Sequence, residues 1–102
     1  MTINSLLSNL LQRTQDDSIE WSSPSSGTFR YVSNQGAVAI TRYQDSSYYA
    51  IKLYDLDHCF AEYNTVDNPD LLVVAADLYD AICSSNERAI ERKISDVFSF
   101  LS

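Results

Sequence analysis

The sequence predicts a single α+β domain over residues 1–102, with an N-terminal helix, a three- or four-stranded antiparallel meander, and two C-terminal helices packed on one sheet face. Three observations lead there. Apolar residues recur at helical spacing near both ends of the chain, at every second position in the middle, and Gly, Ser, Asn and Asp mark the changes of period. With 45% hydrophobic and 12% aromatic residues, the chain can build a core despite a net charge of -7.

Ile3, Leu6, Leu7, Leu10 and Leu11 gather on one helical face, and Thr2 is placed to cap that helix. The helix should end near Gln15-Asp16-Asp17. Ile19 and Trp21 alternate with Glu20 in a short extended piece, and residues 22–27 read as a Ser/Pro/Gly loop. Segments 28–33, 37–44, 48–54 and 59–64 then read as successive strands. Asn34-Gln35-Gly36 and Asp45-Ser46-Ser47 supply hairpin turns. In the third strand Tyr49, Ile51 and Leu53 should face the helices, and Tyr48, Lys52 and Tyr54 the other side.

Asn68-Pro69-Asp70 resembles a helix start, with Asn as cap, Pro at the first position and Asp at the positive dipole end. Leu71, Ala75, Leu78, Tyr79 and Ile82 share a face of that helix. Ser84-x-x-Glu87 matches a capping box and predicts a second helix whose Ile90, Ile94, Val97, Phe98 and Leu101 repeat at core spacing, with Arg88 and Arg92 on its outer side.

Charge is segregated along the chain. No Lys or Arg occurs between Lys52 and Arg88, a stretch that holds eight of the fourteen acidic residues. A concentrated negative field steers basic partners and repels nucleic acid. The expectation is therefore a non-enzymatic interaction protein that presents Asp55, Asp57, Glu62, Asp67, Asp70, Asp77 and Asp80 to a basic protein and binds no nucleic acid directly. A solvated acidic face is the competing reading of the same residues.

No motif for catalysis, a metal or a cofactor stands out. Asp55-x-Asp57 lacks the remaining ligands and the turn glycine of a calcium loop, because Cys59, Phe60 and Val66 occupy those positions. His58 is the only histidine and reads as a surface turn residue. Cys59 and Cys83 read as small buried residues in a reducing compartment. Two glycines cannot form a phosphate cradle. The first residues lack a basic stretch followed by an apolar run, and no segment approaches a membrane span, so cytoplasmic residence without a membrane partner is expected.

Six of the seven tyrosines lie in the strand region, where β-propensity alone accounts for them. The alternative function is a small-ligand, nucleotide-like binding module using Arg30, Tyr48, Lys52 and Tyr54 on an exposed sheet face. The meander has edge strands without evident proline protection, so a homodimer through an edge or the aromatic face is also open.

The order of parts resembles a class of small bacterial and phage α-β-β-β-α-α proteins. The residues behind this are Ile3-x-x-Leu6-Leu7, Trp21 before the sheet and Leu78-Tyr79-Asp80 near the end. With the Met-x-Ile-Asn-x-Leu start at Met1 to Leu6, the chain is also similar to a phage anti-CRISPR inhibitor family that acts on Cas9 by mimicking nucleic acid. That resemblance implies acidic contacts in the sheet turns and the following helix, here the region from Asp55 to Asp80. An immunity protein or antitoxin against a basic nuclease would need the same acidic face.

Overall fold

A computed structural model describes residues 1–43 and 47–101. The expected end of the second predicted strand, Gln44, and two residues of the expected turn, Asp45 and Ser46, lie outside the described residues.

Helix α1 (Ile3–Gln15) begins where Thr2 and Ser5 cap one another: Ser5 N–H donates to Thr2 Oγ1 at 3.2 Å, and Thr2 N–H to Ser5 Oγ at 2.9 Å. Leu7 and Leu10 are buried, and Ile3, Leu6 and Leu11 pack at the margin of the core. Trp21 anchors the crossing to the sheet. Its indole N–H donates to Thr14 Oγ1 at 3.0 Å, and that hydroxyl donates to the Leu10 carbonyl at 2.6 Å, so a buried polar pair inside the helix–sheet layer is satisfied.

Five strands follow in a fully antiparallel meander, β1 (Ser22–Ser25), β2 (Thr28–Val32), β3 (Gly36–Tyr43), β4 (Tyr48–Asp55) and β5 (His58–Asn64), lying side by side in chain order. The stretch expected to be a Ser/Pro/Gly loop forms β1 and the turn after it. Its four side chains are exposed and show no hydrophobic alternation; pairing with β2 makes it a strand, supported by Ser22 Oγ and Ser23 Oγ, which donate to the Arg30 and Thr28 carbonyls at 3.2 Å each. Pro24 sits in this edge strand, where a missing N–H costs nothing. Pro24 thus protects one edge of the sheet, in a segment expected to be a loop, while the β5 edge carries none. Gly27 (φ 77°) supplies the left-handed turn residue between β1 and β2.

The remaining C-terminal segment corrects the expectation of two helices. After a 3-10 turn at Pro69–Leu71, helix α2 (Leu72–Val97) runs unbroken and is followed by a second 3-10 turn at Ser99–Leu101. Residues 72–97 contain no Gly or Pro, and Ser84, Ser85 and Asn86 cost only tenths of a kcal/mol each in a helix interior, so the Ser84-x-x-Glu87 box has no chain end to cap. Pro69 opens the turn as expected, but Asn68 does not cap it. Its amide donates to the Asn64 carbonyl at 3.0 Å.

Both helices pack on one face of the sheet. The core joins Leu7 and Leu10 of α1, Val38 and Ile40 of β3, Tyr49 and Ile51 of β4, and Ala75, Leu78, Tyr79 and Ile82 of α2, with Trp21 and Leu71 closing its margins. Register fixes this: Ile40 opposes Ile51 and Val38 opposes Leu53, so the side chains on that face meet the helices together. Tyr79 lies between Phe29 (ring centroids 5.1 Å) and Tyr49 (5.6 Å). Beyond Ser85 the helix leaves the core. Ile90, Ile94, Val97, Phe98 and Leu101, expected to be core residues, are all exposed.

Candidate functional site

Strand parity places Arg30, Tyr48, Lys52 and Tyr54 together on the sheet face that carries no helix. Arg30 opposes Ala39, Ala39 opposes Lys52, and Lys52 opposes Glu62, so these four residues form one row across β2, β3, β4 and β5. The next row joins Val32, Ala37 and Tyr54, and the row on the other side joins Thr28, Thr41, Ala50 and Asn64. Rows on one face repeat about every 6.6 Å along a strand. At the far end Tyr43 opposes Tyr48, and the two rings stack at 4.7 Å with an interplanar angle of 16°.

The floor of this face is alanine. Ala37, Ala39 and Ala50 are buried although the helices pack on the opposite face. Long neighbours lie over short ones: the Arg30 guanidinium carbon stands 5.2 Å from the centroid of the Tyr54 ring, a cation–π distance, and Thr28 and Thr41 share a hydroxyl hydrogen bond of 2.9 Å. Arg30 Nε is buried without a hydrogen-bond partner. Among the described residues the ion pairs are those of Asp17 with Arg88 and Arg92, so neither Arg30 nor Lys52 has a carboxylate within salt-bridge distance.

At one end of this face the β2–β3 and β4–β5 turns rise on either side of a cleft of about 330 Å³, whose lining includes Arg30, Ala37, Asn34, Leu56 and Asp57. Leu56 is 70% exposed and holds a left-handed backbone (φ 54°), which is unusual for a branched apolar residue. A strained, exposed leucine at the mouth of a cleft that holds the Arg30 guanidinium is the kind of feature that collects at binding sites.

The seven acidic residues of the expected partner surface are all exposed, and they are distributed rather than gathered. Asp55 and Asp57 flank the β4–β5 turn. Asp67 lies beyond the opposite end of β5, tied to Asn64, whose side chain donates to Asp67 Oδ2 at 3.0 Å and accepts from the Asp67 N–H at 2.7 Å. The length of β5 separates these two groups by about 20 Å. Glu62 belongs to the open face beside Lys52. Asp70 lies in the 3-10 turn, and Asp77 and Asp80 follow on α2, where they line a shallow cleft of about 500 Å³ with Gln15, Ala81, Ser84 and Arg88. Asp70, Asp77 and Asp80 are therefore the coherent part of the acidic set.

His58 is exposed as the first residue of β5. Cys59, expected to be buried, is exposed on the edge strand, and Cys83 is half-buried, both as free thiols. Burial, with Asp80 and Glu87 nearby, pushes the Cys83 thiol up, which keeps it protonated and unreactive. Among the described residues no cluster of three His, Cys, Asp or Glu is arranged to hold a metal.

Three features of the site were not singled out from sequence: the alanine floor, the Tyr43–Tyr48 stack and the strain at Leu56. Alternating Ala37 and Ala39 in β3, with Ala50 in β4, is a readable signal for a face whose longer neighbours fold over short residues. The conformation of Leu56 had none, since nothing in its residue type favours a positive φ. No family model, curated protein or solved structure matches this chain. No helix among the described residues is long and apolar enough to cross a membrane.

Proposed function

We propose that the chain is a non-enzymatic binding protein of the cytoplasm whose recognition surface is the open face of the sheet, and that it takes a planar anionic small molecule of nucleotide type. The observation that carries this is the Arg30–Tyr54 pair above the alanine floor. A guanidinium over an aromatic ring, with a buried Nε lacking a partner and no carboxylate in ion-pair reach among the described residues, is a donor group waiting for an acceptor. Lys52 adds a second cation in the same row, without an ion pair among the described residues. The cleft of about 330 Å³ beside Arg30 offers room for a ring, and Tyr48 and Tyr43 extend the aromatic surface. A ligand that binds only the folded chain raises its melting temperature by mass action. A thermal-shift screen of nucleoside phosphates and other planar anions tests the reading, and a melting temperature unmoved by every compound would count against it.

A second reading rests on a separate observation, the alignment of Asp70, Asp77 and Asp80 along the exposed side of the helical segment in a stretch without a cation. In this reading the protein is an acidic inhibitor or immunity protein that occupies the Lys and Arg surface of a nucleic-acid-handling partner, as the resemblance to phage anti-CRISPR proteins implies. Association would be fast and salt-sensitive. A pull-down from host lysate, eluted by salt, should then release a basic protein that the D70N/D77N/D80N variant fails to retain.

A further inference from the structure

We infer that the exposed end of α2 is a self-association surface, and that its occupant is the same segment of a second copy of this chain. From Ala89 to Leu101 every residue is exposed; Ile90, Ile94 and Val97 are spaced four and three apart on α2, and Leu101 joins them from the 3-10 turn that follows. That is the spacing of a two-helix seam, in which each apolar side chain fits between residues of a facing helix. Phe98 and Phe100 widen the stripe, with ring centroids 6.2 Å apart.

Area and charge both favour a second copy as the occupant. Ile90, Ile94, Val97, Phe98, Phe100 and Leu101 are between 49% and 76% exposed. At about 200 Å² for a large apolar side chain this is roughly 700 Å² per copy, close to the roughly 800 Å² each partner contributes to a standard specific interface. Monomers rarely leave so large an apolar patch in water. Two whole molecules of charge -7 repel one another, but residues 88–101 hold three of the seven cations and only two of the fourteen acids, so the pairing segment itself is close to neutral.

The rest of the fold holds this segment out. Arg88 and Arg92, on the side of α2 away from the stripe, bind Asp17 at the end of α1, which fixes the helix back while the stripe faces outward. The sheet offers poorer routes to a dimer, since β1 carries Pro24, and β5 bulges opposite Leu53 and Tyr54 and carries the exposed Glu62.

Sedimentation equilibrium of the intact chain over a wide concentration range, run with Ile94→Glu alongside, tests the inference. The wild type should reach twice the chain mass of 11.5 kDa. Ile94→Glu should raise the dissociation constant by more than about tenfold while keeping the near-ultraviolet signature of Trp21 and a cooperative melt, because Ile94 is 53% exposed and lies outside the core cluster. A wild type that stays at single-chain mass up to its solubility limit would overturn the inference and leave the stripe to another partner. A dimer that Ile94→Glu forms as tightly as the wild type would overturn it too, by placing the interface elsewhere.

Discussion

Asp17 and Arg88, 71 positions apart in sequence, are joined by a two-pronged contact: Arg88 Nη2 donates to Asp17 Oδ1 at 2.9 Å and Nε to Oδ2 at 3.1 Å. Ser85 Oγ donates to the same carboxylate at 2.8 Å, and Arg92 stands 3.6 Å away. One residue at the end of α1, itself in a left-handed conformation (φ 56°), thereby fixes the middle of α2.

These donors hold the Asp17 carboxyl far below its ordinary value of 3.8, chiefly through the hydrogen bonds from Arg88 and Ser85. A depressed carboxylate stabilises the folded state wherever it is ionised in the unfolded chain, so the contribution is complete above about pH 5 and fades as pH falls through and below 3.8. Asp17→Asn, which keeps a residue tolerant of positive φ, should lower the melting temperature at pH 7 and narrow its gap to the wild type toward pH 3. The contact is partly exposed, so added salt should also shrink the difference. Thermal melts on a pH and salt grid check both, and a gap that widens toward pH 3 would contradict the assignment.

Thr14→Val should destabilise the chain by about 1–3 kcal/mol, because it leaves the buried Trp21 N–H without its acceptor while changing volume little. Chemical denaturation followed by Trp21 fluorescence measures this, and a blue-shifted, unquenched native spectrum should accompany the loss. An unchanged midpoint would mean that the indole finds another acceptor.

Leu56→Gly should act in the opposite sense on stability and on binding. Glycine adopts the φ of 54° without the roughly 1–2 kcal/mol that a side chain costs there, partly offset by its greater freedom when unfolded. The net change should be a gain of up to about 1 kcal/mol. If Leu56 forms the wall of the Arg30 cleft, the same variant should bind ligand more weakly. Denaturation midpoints and ligand-induced melting shifts read the two effects separately, and a loss of stability would show the turn to be unstrained.

Much of this architecture is legible in the residues. Thr2, the Ile3 to Leu11 stripe, and the parity that separates Tyr49, Ile51 and Leu53 from Tyr48, Lys52 and Tyr54 all appear in the fold as the periodicity implies. Strand β1 was hidden because Ser22 to Ser25 presents no apolar face, and its backbone and serine hydroxyls, not apolar packing, join it to β2. The single helix α2 was hidden for a different reason. Ser84-x-x-Glu87 is a start signal only where a helix ends nearby, and local sequence does not reveal that the turns on both sides belong to one helix. The stripe from Ile90 to Leu101 has core spacing in either case, so period alone could not say whether it packs inward or stands free. The site was legible in part. Arg30, Tyr48, Lys52 and Tyr54 do share a face, whereas the acidic residues, gathered in one cation-free stretch of sequence, are dispersed because β5 carries the chain from one end of the sheet to the other.

The central claim is that recognition uses the open face of the sheet, and backbone amide chemical-shift mapping of the ¹⁵N-labelled chain during titration with nucleoside phosphates tests it most directly. Saturable shifts centred on Arg30, Ala39, Lys52 and Tyr54 are expected, absent in Arg30→Gln. A spectrum that does not change, or shifts centred instead on Asp77 and Asp80, would contradict it.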